Sequence, residues 1–207
     1  MKEWLLPIIG FLGFGLIHSW MAGVPLKRWF FQRWPKLKAF YRLIYTLISL
    51  MTFGLWYFLL PFPQGILYHI SFPANFIFRL LQVAAVYGFW VTLRPIDIQS
   101  FLGLRQVLTF MQSGNLPSRL DESPSQQLIT QGIYGYMRHP LYTFSMLILL
   151  FNPIMTYKLL LITLLAGIYF YIGSIYEEQK LLRIYGEAYR EYQEQVPRFT
   201  PHLWRRS

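Results

Sequence analysis

The run HPLYTFSMLILLFNPIMTYKLLLITLLAGIYFYIGSIY, residues 139–176, holds a single charged residue, Lys158, and is followed at once by Glu177-Glu178. About 20 mostly apolar residues cross a bilayer core as a helix. Asn152-Pro153 interrupts this run near its middle. The reading is two membrane-crossing helices, roughly 134–151 and 156–176, closed into a tight hairpin. The first is short and contains Pro140, whose ring removes an N–H and restricts the residue before it, so it is expected to kink or to begin late.

Three more apolar runs precede the hairpin. Trp4 to Leu26 and Leu43 to Phe78 contain no Asp, Glu, Lys or Arg, and the second is broken at Pro61-Phe-Pro63-Gln-Gly65. Leu80 to Leu93 is bracketed by Arg79 and Arg94, whose stems can snorkel to the interface. With these, five helices are expected, at 4–24, 39–60, 74–93, 134–151 and 156–176. The first run is longer than a signal-peptide core and lacks a clear cleavage site, so it is read as a span. The expected architecture is all-α: a polytopic membrane protein with a C-terminal hairpin and an amphipathic cytoplasmic helix. It is read as a single membrane domain, 1–207, in which 1–94 supplies the first three helices, 95–131 a connector, and 132–207 the hairpin and C-terminal helix.

The composition agrees. Of the 207 residues 55% are hydrophobic and only 14% charged, against about 25% in a soluble domain. That excludes a disordered or collagen-like chain and leaves too few charges to coat a water-soluble globule. The absence of Cys removes thiolate nucleophiles, disulfides and Cys-ligated metal centres. A net charge of +10 could suit nucleic acid, but the placement of the cations argues against it. They cluster in short segments between the apolar runs. The first such segment holds Lys27, Arg28, Arg33, Lys36, Lys38 and Arg42; Arg94, Arg105, Arg119 and Arg138 lie in the third; Lys180, Arg183, Arg190, Arg198, Arg205 and Arg206 follow the last span. The positive-inside rule then puts these segments in the cytoplasm and the N-terminus outside, as in a bacterial inner-membrane protein.

Between Pro95 and Arg138, the piece Phe101–Leu108 is too short to span and is expected at the interface. Residues 113–127, rich in Ser, Pro, Gly and Gln, read as a loop. From Glu177 to Gln195, apolar residues including Leu181, Leu182, Tyr185, Tyr189, Tyr192 and Val196 recur at helical spacing. Gly186 weakens that helix and Pro197 ends it. The tyrosine stripe is best explained by packing or by headgroup contact.

Two polar clusters meet the hairpin at one mouth. Gly132-Ile-Tyr134-Gly-Tyr136-Met-Arg138-His139-Pro140-Leu-Tyr142 leads in, and Glu177-Glu178 leads out. A cation, an imidazole, tyrosines and two carboxylates therefore converge, which suits a zwitterionic cofactor carrying an amine, a carboxylate and a ribose. Singly, Arg138 and His139 also suit headgroup anchoring, and the glutamates also suit pairing with Arg138. His18 is read as a satisfied histidine within the first span, although intramembrane ionisable groups often have a function. His69 and His202 carry little information. No H-E-x-x-H, P-loop or G-x-G-x-x-G is present, so metalloprotease, NTPase and Rossmann readings find no support.

The first cluster resembles the G-x-Y-x-x-x-R-H-P-x-Y motif of the isoprenylcysteine carboxyl methyltransferase and phospholipid methyltransferase family. The second matches as well, through Glu177-Glu178, Leu181, Gly186, Tyr189, Tyr192, Val196-Pro197-Arg198 and Pro201. The resemblance implies an S-adenosylmethionine-dependent methyltransferase. It places the cofactor among Tyr134, His139, Pro140, Leu141, Tyr142 and Glu177, near Arg138 and Glu178, with Leu128 and Ile129 upstream and Arg198 closing the site; it implies no metal. The isoprenylcysteine enzymes carry an Arg four residues before the first Glu; here Gly173 stands there, which argues against a prenylcysteine carboxylate as acceptor. His18-Ser-Trp-Met-Ala22, Tyr41-Arg-Leu-Ile-Tyr45 and Phe101-Leu-Gly-Leu-Arg105-Gln106 are similar to segments of bacterial methanethiol S-methyltransferases. A small or lipophilic methyl acceptor is expected, with a small thiol favoured. Two alternatives stay open: a haem-binding, isomerase-like protein using His18, His69 and His139, and a non-catalytic membrane scaffold.

Overall fold

A computed structural model describes residues 1–114, 116 and 128–201. Most of the expected 113–127 loop, with Arg119, and also His202, Arg205 and Arg206, lies outside the described residues. The chain forms two compact units, Met1–Phe62 with Ile96–Gln126, and Pro63–Pro95 with Gln127–Ser207.

In the first unit, α1 (Lys2–Ala22) packs against α3 (Tyr41–Leu59). Trp56 fixes their approach: its indole N–H donates to the Pro7 carbonyl at 2.8 Å. His18 lies between the same helices, with Nδ1 2.9 Å from Ser49 Oγ and Nε2 2.7 Å from the Tyr45 hydroxyl, so it is satisfied, as its sequence position suggested. Between α1 and α3 the chain forms α2 (Val24–Arg33) and a 3-10 turn, Pro35–Phe40. The piece expected at the interface resolves into α5 (Ile98–Leu102) and α6 (Leu104–Ser113). Asp97 caps α5 by accepting from the Ser100 amide at 3.3 Å, as helix N-termini require. It also pairs with Arg105 at 2.9 Å.

In the second unit, α4 (Ala74–Leu93) packs on α7 (Pro140–Leu150), which leads to α8 (Tyr157–Tyr185) and α9 (Glu187–Gln195). The α4–α7 approach is close because position 88 is Gly: a Cβ there would lie 2.3 Å from the Phe144 ring. Strands β1 (Ile66–His69) and β2 (Ile154–Thr156), which periodicity did not announce, pair antiparallel and tie the two loops at one end of this unit. The Thr156 hydroxyl caps α8 at 3.1 Å.

Four segments, Lys2–Ala22, Pro35–Leu59, Ala74–Leu93 and Tyr157–Tyr185, are long and apolar enough to cross a membrane, while Pro140–Leu150 is a shorter apolar helix. The fourth expected span thus begins late, at Pro140, which sits at the first helical position where its missing N–H costs nothing. The fifth does not stop at Tyr176; it continues to Tyr185. The helix expected over Glu177–Gln195 is instead split at Gly186, whose φ of 58° and ψ of −126° suit glycine alone.

Candidate functional site

On α8, Glu177 and Glu178 follow each other, so the helix turns their side chains about 100° apart. The consequence is two different environments. Glu178 is 3% exposed and is saturated with donors. Its Oε1 accepts from Arg138 Nε at 2.9 Å and lies 3.1 Å from His139 Nε2; its Oε2 accepts from Arg198 Nη2 at 2.7 Å and from Gln193 Nε2 at 3.0 Å. One buried carboxylate thereby joins α8, the entry to α7, α9 and the tail beyond it. A buried charge is tolerated only when paired and hydrogen-bonded in this way.

Glu177 keeps 46% of its side chain exposed. Its Oε2 accepts from the Tyr142 hydroxyl at 3.0 Å and stands 3.5 Å from His139 Nδ1. His139 therefore has a carboxylate at each ring nitrogen. Burial disfavours its charged form, the two carboxylates outweigh burial, and its pKa lies above that of an ordinary histidine. Its ring stacks on Tyr142 with centroids 5.4 Å apart and planes 3° apart. Tyr142 in turn stacks on Phe170 of α8 at 4.7 Å and 5°. The result is a three-ring ladder with a half-exposed carboxylate at its edge.

The segment after α9 closes against this entry. The Arg138 and His139 amides donate to the carbonyls of Pro197 and Arg198 at 2.9 and 3.0 Å, and Thr143 Oγ1 donates to the Phe199 carbonyl at 2.9 Å. Arg138 Nη1 donates to the carbonyls of Gln193, at 3.0 Å, and Val196. Those bonds to the main chain, with the Glu178 pairs, hold the tail as a strap. Arg198 is held further in its charged form by its bonds to Glu178.

Of the residues singled out in the sequence, Arg138, His139, Tyr142, Glu177, Glu178 and Arg198 form one connected network. Tyr134 sits beside it. Its hydroxyl donates to the Thr92 carbonyl at 3.3 Å, and burial with the nearby Glu177 charge pushes its pKa up to about 12. Pro140 is fully buried at the start of α7, and Leu141 is half-buried on the same turn. Leu128 packs against the buried cluster Tyr189, Tyr192 and Val196 rather than joining the network, and Ile129 is half-buried. The tyrosine stripe is thus a packing device, and burial pushes Tyr189 and Tyr192 well above the ordinary tyrosine range. Sequence reasoning missed Phe170 and Gln193. Phe170 stands seven residues, about two helical turns, before Glu177, a spacing that marks it as a face-mate. Nothing in the sequence marks Gln193.

The family model for phospholipid methyltransferases matches residues 95–188. Over 206 residues the chain is 30% identical to a methanethiol S-methyltransferase of Crocosphaera subtropica, covering 98% of this chain and 77% of that one. It is 27% identical over 200 residues to methanethiol S-methyltransferase 1 of Bradyrhizobium diazoefficiens, covering 94% of this chain and 65% of that one. A protein-S-isoprenylcysteine O-methyltransferase of Schizosaccharomyces pombe is 31% identical over 143 residues, covering 63% and 54%. No solved structure matches. The motifs at the hairpin mouth and the near full-length similarity agree: the chain belongs to the phospholipid and isoprenylcysteine carboxyl methyltransferase family of integral membrane methyltransferases.

Proposed function

We propose that this enzyme moves the methyl group of S-adenosylmethionine to a small thiol at the cytoplasmic face of a bacterial inner membrane. The observation that carries the reading is the half-exposed Glu177 carboxylate at the edge of the His139–Tyr142–Phe170 ladder. The donor set fits the cofactor. A carboxylate suits an ammonium or a sulfonium, stacked rings offer a flat face to an adenine, and Arg198, joined to the network yet 29% exposed, suits a carboxylate. When bound, S-adenosylmethionine supplies a methyl already activated on a positive sulfur.

The chain's own residues then bind, orient and exclude water. Glu177 holds the cationic part, with Tyr142 fixing its Oε2. His139, with a carboxylate at each ring nitrogen, fixes the edge of the ladder. Glu178, saturated by Arg138, His139, Gln193 and Arg198, builds the site without reaching into it. The acceptor is small because two relatives matched over nearly all of this chain are methanethiol S-methyltransferases and because Gly173 stands where the prenylcysteine enzymes carry Arg. An incoming thiol would give its proton to solvent as its sulfur takes that methyl, and the cofactor would be left as a neutral thioether as its own carbon–sulfur bond breaks. In this reading the chain works as one membrane domain. The haem alternative is disfavoured because His18 and His139 are both engaged by neighbouring side chains.

Calorimetry in detergent tests the cofactor assignment. Glu177→Gln and His139→Gln are expected to weaken S-adenosylmethionine binding by tenfold or more in protein that still inserts. Wild-type affinity in both variants contradicts it.

A further inference from the structure

Between Glu3 and Asp97 the chain carries no acid at all. Within that interval Lys27, Arg28, Arg33, Lys36, Lys38 and Arg42 fall on α2, the 3-10 turn and the first turn of α3. Arg28, Arg33 and Lys36 are exposed. The segment that carries them is built on clustered aromatic rings. Trp29 meets Trp34 edge-on at 5.3 Å, and Phe30 and Phe31 meet Tyr41 at 5.0 and 5.4 Å. The Arg33 guanidinium lies over Trp34, and the Lys38 ammonium over Phe31. Trp29 and Trp34 stay exposed, the usual state of indoles at headgroup level.

A second feature of the first unit adjoins these rings. Helix α6 packs on the 3-10 turn, with Phe110 meeting Phe40 edge-on at 5.9 Å. Along α6, Leu104, Leu108 and Met111 form an exposed apolar stripe at helical spacing, and the exposed Phe101 of α5 precedes it across Gly103. Arg42 anchors Phe101 by donating from Nε to its carbonyl at 2.8 Å. Basic cluster and apolar stripe together match one kind of molecule, with an anionic head and an apolar tail.

We infer that α2, the Pro35–Phe40 turn and α6 form a docking surface for an anionic phospholipid. The headgroup phosphate is met by Arg28, Arg33 and Lys36, and the start of the acyl chains by the Leu104–Leu108–Met111 stripe. Charge complementarity selects the lipid, because an interfacial basic cluster gains affinity from each cation and loses it with salt. A zwitterionic lipid offers the same tails and no net charge.

Native mass spectrometry on protein released from mixed phosphatidylcholine and phosphatidylglycerol nanodiscs tests this surface. The wild type is expected to retain phosphatidylglycerol preferentially, with the preference shrinking in high salt. Arg28→Gln, Arg33→Gln and Lys36→Gln together should lower the preference by at least about tenfold, given roughly fivefold for each cation. The charge-keeping Arg28→Lys and Arg33→Lys pair should retain it. Leu108→Gln with Met111→Gln should lower retention of both lipids without changing their ratio. Because these side chains are exposed, the variants are expected to fold, and an unchanged melting temperature checks it. Equal retention of the two lipids by the wild type overturns the proposal. So does an undiminished preference in the triple Gln variant, or a preference that follows acyl chains instead of headgroup charge.

Discussion

Two neighbouring glutamates show how much one helical step decides. Glu178 turns inward to Arg138, His139, Gln193 and Arg198, while Glu177 turns to Tyr142 and solvent. Removing one member of a buried ion-pair network costs about 3–5 kcal/mol, because the partners are left buried and uncompensated. Glu178→Gln is therefore expected to lower the melting temperature strongly in detergent, while Glu177→Gln leaves it near wild type and acts on cofactor affinity. Equal melting temperatures for the two variants would contradict the division of roles. The His139 imidazolium gives a second expectation. Its folded pKa lies above its unfolded one, so its contribution to stability is complete below about 6.5 and fades as pH rises through the folded pKa. Thermal unfolding of the wild type should show a loss of stability over that rise. His139→Gln should lack that component. The residues themselves were legible from the motif, but their division of labour was not. Adjacent letters carry no record of which carboxylate the tail will cover, and the strap that covers Glu178 is set by main-chain bonds to Arg138 and His139 that no side-chain pattern announces.

At the level of elements, glycine and proline set the boundaries. Pro140 delays α7, as its chemistry led one to expect. Gly186 divides α8 from α9, where amphipathic periodicity alone suggested one continuous helix. A Cβ at Gly186 meets nothing within 4 Å, so Gly186→Ala would act through backbone strain alone, at about 1–3 kcal/mol. Gly88→Ala is different, since its Cβ would press on the Phe144 ring. Overpacking of this kind costs about 1–3 kcal/mol, and Phe144→Ala in the same molecule should relieve much of it. A double-mutant cycle on melting temperature reads both, and additive losses at positions 88 and 144 would refute the contact. The β1–β2 ribbon was invisible for a physical reason. Its strands are too short for a period-2 pattern, and its pairing depends on two loops that only the packed helices bring together.

Over the whole molecule, the apolar runs and their charged borders were enough to indicate a predominantly helical membrane protein, because bilayer thickness ties span length to sequence. The division into two units was not available that way, since the chain leaves the first unit after Phe62, returns at Ile96 and leaves again at Gln127. Within the second unit the ribbon and the glutamate network lie at opposite ends of α8. From Thr156 to Glu177 the helix rises about 30 Å, close to the hydrocarbon thickness. The positive-inside rule predicts that the network faces the cytosol and the ribbon faces out. The absence of Cys makes this simple to check. Lys36→Cys should resist, and Ser71→Cys should accept, a membrane-impermeant thiol reagent in intact cells, and the reverse pattern would invert the orientation.

The mouth of the α7–α8 hairpin is proposed to pass a methyl group from S-adenosylmethionine to a small thiol. Incubating purified enzyme with methyl-labelled S-adenosylmethionine and a panel of small thiols, prenylcysteines and phosphatidylethanolamine tests it most directly. Label is expected on the small thiol and is expected to be lost in Glu177→Gln. Label on none of the thiols, or undiminished transfer by that variant, would contradict it.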